Sequence, residues 1–342
     1  MIEKLYNTGD LSDAELKSLI TSEDDGVSEK LALYADKVRN QHYGKKVFLR
    51  GLIEISSYCK NDCLYCGIRR GNKNAQRCRM SAEQILEAAD IGYKLGFRTF
   101  VMQGGEDAYY TDDLMCDIIV EIKNRYPDCA VTLSLGERTY KSYKKLRDAG
   151  ADRYLLRHES ADCQLYKKLH PAEMTLDNRV KCLYNLRELG YQVGAGFMVG
   201  APFQTVENII ADLRFLQELR PQMIGIGPFI PHHGTPFANE KGGTAELTLR
   251  LLGIIRLMFP KVLLPATTAL ATISENGRIK GLQTGCNVIM PNISPKDMRD
   301  KYELYNNKLS SGSEAAEGLE NLKKEVESAG YFISDERGDA AV

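Results

Sequence analysis

The chain has no tryptophan, and nothing functional follows from that. It has no run of eighteen apolar residues, which argues against a membrane-spanning helix. Its first ten residues, MIEKLYNTGD, lack the apolar core of a secretory signal. Neither sign of charge is in excess: 45 Lys and Arg face 46 Asp and Glu, for a formal net charge of −1. No nucleic-acid surface is therefore expected. No Pro/Ser-rich linker or shift of composition divides the 342 residues, so one structural domain is expected. Together these absences point to a cytoplasmic protein. Cysteine, in contrast, is plentiful at nine. In an oxidising compartment that number would suggest disulfides; three clustered cysteines fit a reducing cytosol better.

Those three lie in Cys59-Lys60-Asn61-Asp62-Cys63-Leu64-Tyr65-Cys66-Gly67, a C-x3-C-x2-C spacing with no fourth cysteine nearby. A structural zinc site wants four closed ligands. A 4Fe–4S cluster takes one thiolate per iron. Three thiolates would hold three irons and leave the fourth open to an exchangeable ligand. The plainer readings are three unrelated cysteines or half of a zinc site.

The rest of the chain repeats one unit. Apolar runs fall at 47–55, 99–103, 130–135, 153–157, 192–199, 223–230, 262–268 and 287–291. Amphipathic stretches follow at 82–95, 112–126, 139–149, 176–189, 206–219, 245–258 and 273–284, several closing on a glycine. Eight strands alternating with helices read as an α/β fold, a complete (β/α)8 barrel, with an open sheet in two halves as the alternative. Residues 1–45 read as a helical cover with two helices in 11–43, 46–310 as the barrel, and 311–342 as a helix (315–328) and a frayed polar tail. The segment Tyr302-Glu303-Leu304-Tyr305 comes after the last strand and could fold back over the barrel mouth.

Function in such a barrel sits at the carboxyl ends of the strands. Strand two ends Gln103-Gly104-Gly105-Glu106-Asp107, where glycines would let a ligand approach the backbone, or simply make a tight turn. Strand three alternates Thr132 and Ser134 with Leu133 and Leu135, which suits either a polar substrate or a core filled by small residues. Strand four ends Arg157-His158-Glu159, a packed charged triplet that is either a site or a set of structural salt bridges. His232 and His233 are adjacent in a loop and lack a carboxylate pattern, so no metal is expected there.

The cysteine loop, C-x3-C-x-aromatic-C, resembles the radical SAM superfamily. Within it, the segments IEISSYCKNDCLYCGIRRGNKN, QGGEDAYY, TLSLGE, DRYLLRHES, GAGFMVGAPFQT, GIGPFIPHHGTP, PATTA and NVIMPNISP look most like the HydE family of FeFe-hydrogenase maturases. The resemblance runs from about residue 44 to residue 305. It implies a 4Fe–4S cluster on Cys59, Cys63 and Cys66, with S-adenosylmethionine (SAM) on the open iron. It implies that Tyr65, Gln103, Gly104, Gly105, Glu106 and Ser134 border SAM. In the same way Glu159 and Arg179 take its amino and carboxylate ends, and Met223 and Ile226 its adenine. Arg157 and Tyr305 are implied at the reaction centre, with Arg50, Ser134, Arg157, Thr267, Thr268 and Met290 around the substrate. Arg50 and Arg157 together would make an anion-binding chamber, unless both are paired structurally.

The implied activity is reductive cleavage of SAM to a 5′-deoxyadenosyl radical that acts on an iron-bound cysteine species during assembly of the hydrogenase di-iron cofactor. Implied partners are other maturases and a reductant such as ferredoxin or flavodoxin. No cysteine follows Cys286, so no second cluster is expected. Cys78, Cys116, Cys129, Cys163, Cys182 and Cys286 are scattered, which argues against a biotin synthase. A methylornithine synthase-like lysine mutase of the pyrrolysine pathway remains open as an alternative. So do a non-catalytic iron–sulfur scaffold and, least in keeping with three clustered cysteines, a zinc-dependent barrel hydrolase.

Overall fold

The helices start where the sequence supplies a side-chain acceptor. Ser81, Thr111, Thr139, Thr175, Thr205 and Thr244 cap the helices Ala82–Lys94, Asp112–Arg125, Tyr140–Asp148, Leu176–Glu188, Val206–Leu219 and Ala245–Met258. Each takes a hydrogen bond from a backbone amide of the first turn, which would otherwise be unpaired. The loops between strand end and helix start are thereby pinned at one side.

The computed structural model describes residues 1–341. Its strands are β1 (Lys46–Leu49), β2 (Gly51–Ser56), β3 (Thr99–Gly104), β4 (Ala130–Ser134), β5 (Arg153–Leu155), β6 (Gln192–Ala195), β7 (Met198–Val199), β8 (Met223–Ile224), β9 (Gly227–Pro228), β10 (Val288–Ile289) and β11 (Phe332–Ser334). Six of them form a parallel sheet in the order β2-β3-β4-β5-β6-β8. Single parallel bridges carry the backbone pairing onward: Met223 to Leu263, Pro265 to Val288, and Asn292 to Leu52 in β2. β10 also pairs with β1, which continues into β2 across Arg50. The arrangement is barrel-like, with the helices packed outside the sheet through one large apolar core.

Several boundaries differ from the sequence reading. The fifth and sixth strands are each broken in two. Gly196, at φ 149°, lies so close to Gly225 that an added Cβ would meet its carbonyl oxygen at 1.9 Å. The seventh run is not a ladder strand; it contributes only the bridges at Leu263 and Pro265, and proline has no amide to donate. Thr268 already belongs to the helix Thr268–Ile273, and a second helix, Gly277–Gln283, follows Asn276. The amino-terminal cover has three helices, Ile2–Thr8, Asp13–Ile20 and Asp25–Tyr43. The helix expected over 315–328 begins with two short 3₁₀ turns and is α-helical over Leu319–Ser328.

The tail is not frayed. β11 adds to β1 in parallel. Beyond it, buried Arg153 donates to the Arg337 and Gly338 carbonyls and pairs with Asp339 at 2.6 Å. The tail therefore covers the amino-terminal end of the sheet. A polar composition concealed this, because its partner is a buried arginine.

Candidate active site

The carboxyl ends of the strands surround a cavity of about 310 Å³. The loop after β2 brings Cys59, Cys63 and Cys66 to its wall. Two side chains hold that loop. Arg77 donates to the carbonyls of Ser57, Ile68, Arg69 and Asn72, drawing the start of the loop and its 68–72 stretch onto one guanidinium. Asp107 accepts from Ser56 Oγ and Arg79 Nε, both at 2.6 Å. The next loop presses against the first: a Cβ on Gly105 would meet the Tyr58 carbonyl oxygen at 2.1 Å and Cys59 Cβ at 2.7 Å. Only glycine allows that approach.

All three cysteines are free thiols. Burial, then the neighbouring Cys66 and Cys59, pushes the Cys63 thiol well above its ordinary range. Burial and Cys59 push Cys66 up to about 12, and burial raises Cys59. Three such thiols cannot ionise together unless a strongly cationic group binds among them. Among the described residues, no three His, Cys, Asp or Glu side chains converge tightly enough to hold one metal ion. The cysteines border a shared cavity instead, which fits ligands to separate irons of one cluster.

Tyr65 reaches His170, with its hydroxyl 3.2 Å from Nε2. His170 Nδ1 lies 2.9 Å from the Tyr166 carbonyl, which can only accept, so Nδ1 carries the proton and Nε2 accepts from Tyr65. Burial lowers His170 to about 3, so the ring is neutral and the tautomer fixed.

Opposite the cysteines stands the end of β5. Glu159 sits at φ 63°, a left-handed conformation rare outside glycine. Its carboxylate Oε2 lies 3.0 Å from Arg157 Nη2. Neither atom makes a hydrogen bond, and Arg157 Nε is also unpartnered, although all three are buried. Unsatisfied charged atoms at a cavity wall mark a place prepared for a polar ligand. Arg179 donates from Nε to Glu137 at 2.6 Å and from Nη1 to the Arg157 carbonyl at 2.8 Å. Burial works against its charge, but Tyr166 and Glu137 outweigh it and hold Arg179 above its ordinary value. Its Nη2 edge carries no bond among the described residues.

The cavity wall also includes Tyr65, Gln103, Gly104, Gly105, Glu106, Ser134, Thr267 and Tyr305. Five residues expected near SAM or substrate lie elsewhere. Arg50 is buried between β1 and β2, with Nη1 2.6 Å from the Met223 sulfur. After burial, the charges that act on it most are Arg153 and Asp339, at the amino-terminal end of the sheet. Met223, the first residue of β8, lies at that end with it. Ile226 belongs to the main apolar core. Thr268 donates to Glu314 at 2.7 Å. Met290 packs on the cluster of Tyr43, Phe48, Met223, Leu263 and Val288. None of the five lines the cavity. Arg50 and Arg157 therefore do not form a single anion chamber.

Sequence reasoning missed Glu137, which anchors Arg179 and also accepts from Asn178. Its signal was present, since it follows Gly136, whose φ of 72° turns the chain beside Glu106. Glu54 and Lys308 were also missed. A lone carboxylate inside the apolar strand LIEIS was visible, but its partner is 254 residues away.

The radical SAM superfamily model matches residues 53–216. The chain is 48% identical over 294 residues to the [FeFe] hydrogenase maturase subunit HydE of Thermotoga maritima, covering 86% of this chain and 84% of that protein. It is 32% identical to the 3-methylornithine synthase of Methanosarcina acetivorans, covering 87% and 83%. Its backbone is similar to the crystal structure of methylornithine synthase (PylB) at a TM-score of 0.86, with 26% identity and 97% of both chains covered. With more than four-fifths of the length of such relatives spanned and the three-cysteine loop at the cavity wall, the chain belongs to the radical SAM superfamily.

Proposed function

We propose that this chain is a radical SAM enzyme of FeFe-hydrogenase maturation whose substrate is an iron-bound cysteine species. The observation that carries the maturase reading is the 48% identity to HydE across most of both chains. When bound, one 4Fe–4S cluster and SAM would supply a one-electron cleavage that yields methionine and a 5′-deoxyadenosyl radical.

The residues present fit that pair. Cys59, Cys63 and Cys66 would hold the cluster. Gly104 and Gly105 line the cavity beside the cysteine loop, and the Glu159 oxygen that makes no hydrogen bond suits an amino group. The free Nη2 edge of Arg179 suits a carboxylate, because guanidinium donors match it geometrically. Arg157, Ser134, Thr267 and Tyr305 would then face the substrate. Backbone bridges through Leu263, Pro265 and Asn292 support a complete (β/α)8 barrel around this chamber. Such a wall would keep water from a reactive primary radical. Other maturases, and a ferredoxin- or flavodoxin-type reductant, are the partners this role requires, and the cytoplasm is the compartment it fits.

Lysine mutation to methylornithine is the second reading, favoured by the shared backbone and the 32% relative. Anaerobic reconstitution, followed by SAM, reductant and either lysine or an iron–cysteine synthon, separates the two by mass spectrometry. The maturase reading expects consumption of the synthon and unchanged lysine. Methylornithine from lysine would replace it with the second reading. A filled cluster without SAM cleavage in either arm would favour an iron–sulfur scaffold.

A further inference from the structure

Residues 302–308 cross the mouth of the cavity. Tyr302, Leu304 and Tyr305 all line it. The crossing is tied at its edges by hydrogen bonds: Gly67 N to the Leu304 carbonyl at 2.8 Å, Asn306 N to the Pro231 carbonyl at 3.1 Å, His233 N and Nδ1 to Asn306 Oδ1 at 3.1 and 2.8 Å, and Gln103 Nε2 to Tyr302 Oη at 3.3 Å, while half-exposed Glu303 lies 3.5 Å from His232 Nε2. Contact with the cysteine loop is close enough to require glycine, since a Cβ on Gly67 would meet the Glu303 carbonyl oxygen at 2.2 Å. Neutral hydrogen bonds of this kind contribute about 1 kcal/mol each.

One stronger tie lies beneath them. Lys308 Nζ stands 2.5 Å from Glu54 Oε1, with side-chain exposures of 9% and 0%. The same ammonium donates to the Tyr302 carbonyl at 3.0 Å and lies 5.0 Å from the Tyr302 ring centroid. Lys308 thus folds the end of the segment back onto its start while anchoring both to β2. The second Glu54 oxygen makes no close hydrogen bond, and besides Lys308, Asn292 and the more distant Arg299 favour the charged carboxylate. If the segment lifted, Glu54 would be left in the wall without the cation that pairs with it.

Resting on the reading of this cavity as the reaction chamber, we infer that Glu54 and Lys308 are positioning residues whose buried ion pair holds residues 302–308 across the mouth and seats Tyr302 and Tyr305 in its wall. Neither side chain need touch substrate. Burial raises the Glu54 carboxyl above its ordinary value against the pull of Lys308, so without the lysine it would be expected to take up a proton. Lys308→Met is therefore expected to fold.

The test is hydrogen–deuterium exchange on the cluster-reconstituted protein, read by mass spectrometry, for wild type, Lys308→Met, Lys308→Arg and Glu54→Gln. Removing one partner of a buried pair should speed exchange over 302–307 by about tenfold or more. Exchange in β3 and β4 should stay unchanged, and Lys308→Arg should restore most of the protection. In turnover, Lys308→Met should raise the ratio of 5′-deoxyadenosine to substrate-derived product, with rescue by arginine. Unchanged exchange over 302–307 in both Lys308→Met and Glu54→Gln would overturn the inference. A rise spread evenly over all strands would overturn it too, as the pair would then be only general core support. Exchange needs no substrate, so an error in the assigned reaction would silence the product ratio in wild type as well while leaving the exchange result intact.

Discussion

At the scale of single residues, the site depends on atoms that cannot be larger and rings that cannot be charged. Gly105 is the first kind. Gly105→Ala would drive a methyl into the Tyr58 carbonyl, and overpacking of this sort costs about 1–3 kcal/mol. The loop carrying Cys59 would shift, so iron bound per chain after reconstitution should fall well below that of wild type. His170 is the second kind. Its folded value of about 3 lies below the ordinary histidine range near 6.5. Between those values the unfolded chain binds a proton that the folded chain refuses. His170 therefore favours folding fully above about pH 6.5, and that contribution shrinks as pH falls toward 3. His170→Gln should flatten the loss of apo-protein melting temperature between pH 6.5 and 4.5; an unchanged slope would remove this account of the ring. The three thiols and both glycines of the Gly104-Gly105 turn were legible as residue types in a pattern. Glu137 and Lys308 were not, because their importance lies in distant partners.

At the scale of elements, caps and apolar runs made the βα order readable, and the errors fall where tertiary contact overrides local pattern. Strand five breaks at Gly196, whose φ of 149° lies outside the strand region open to other residues, and strand six breaks at the facing Gly225. The seventh run reads as a strand and supplies only two bridges. The carboxyl-terminal tail reads as disordered yet pairs with β1, because polar residues there answer a buried cation rather than solvent. Arg153 also donates to Thr99 and Gln192, so truncation after Ser334 would remove three of its partners and leave two. A loss of about 3 kcal/mol is expected, as for a buried ion pair broken from one side, and would appear as a lower urea midpoint. An unchanged midpoint would mean that the tail only rests on the sheet.

At the scale of the whole molecule, the two ends of the sheet have different work. The amino-terminal end is closed by Arg50, Arg153, Asp339 and the tail, and the carboxyl end holds the cysteines, Glu159 and Arg179 around a cavity. Sequence alone placed Arg50 with Arg157, because both are cations in strands; only the fold shows that they belong to opposite ends. Mutation should separate them. Arg157→Ala should abolish most turnover of the true substrate while leaving cluster content near wild type, whereas Arg50→Met should act chiefly on stability, read by melting. No helix among the described residues is long and apolar enough to cross a membrane. The most direct test of the maturase assignment is functional replacement. The reconstituted protein would be added to an anaerobic hydrogenase-maturation mixture that lacks only its HydE-type component, and hydrogen evolution measured. The account predicts evolution restored by wild type and absent with Cys59→Ala. No restoration by wild-type protein that holds its cluster and cleaves SAM would contradict it.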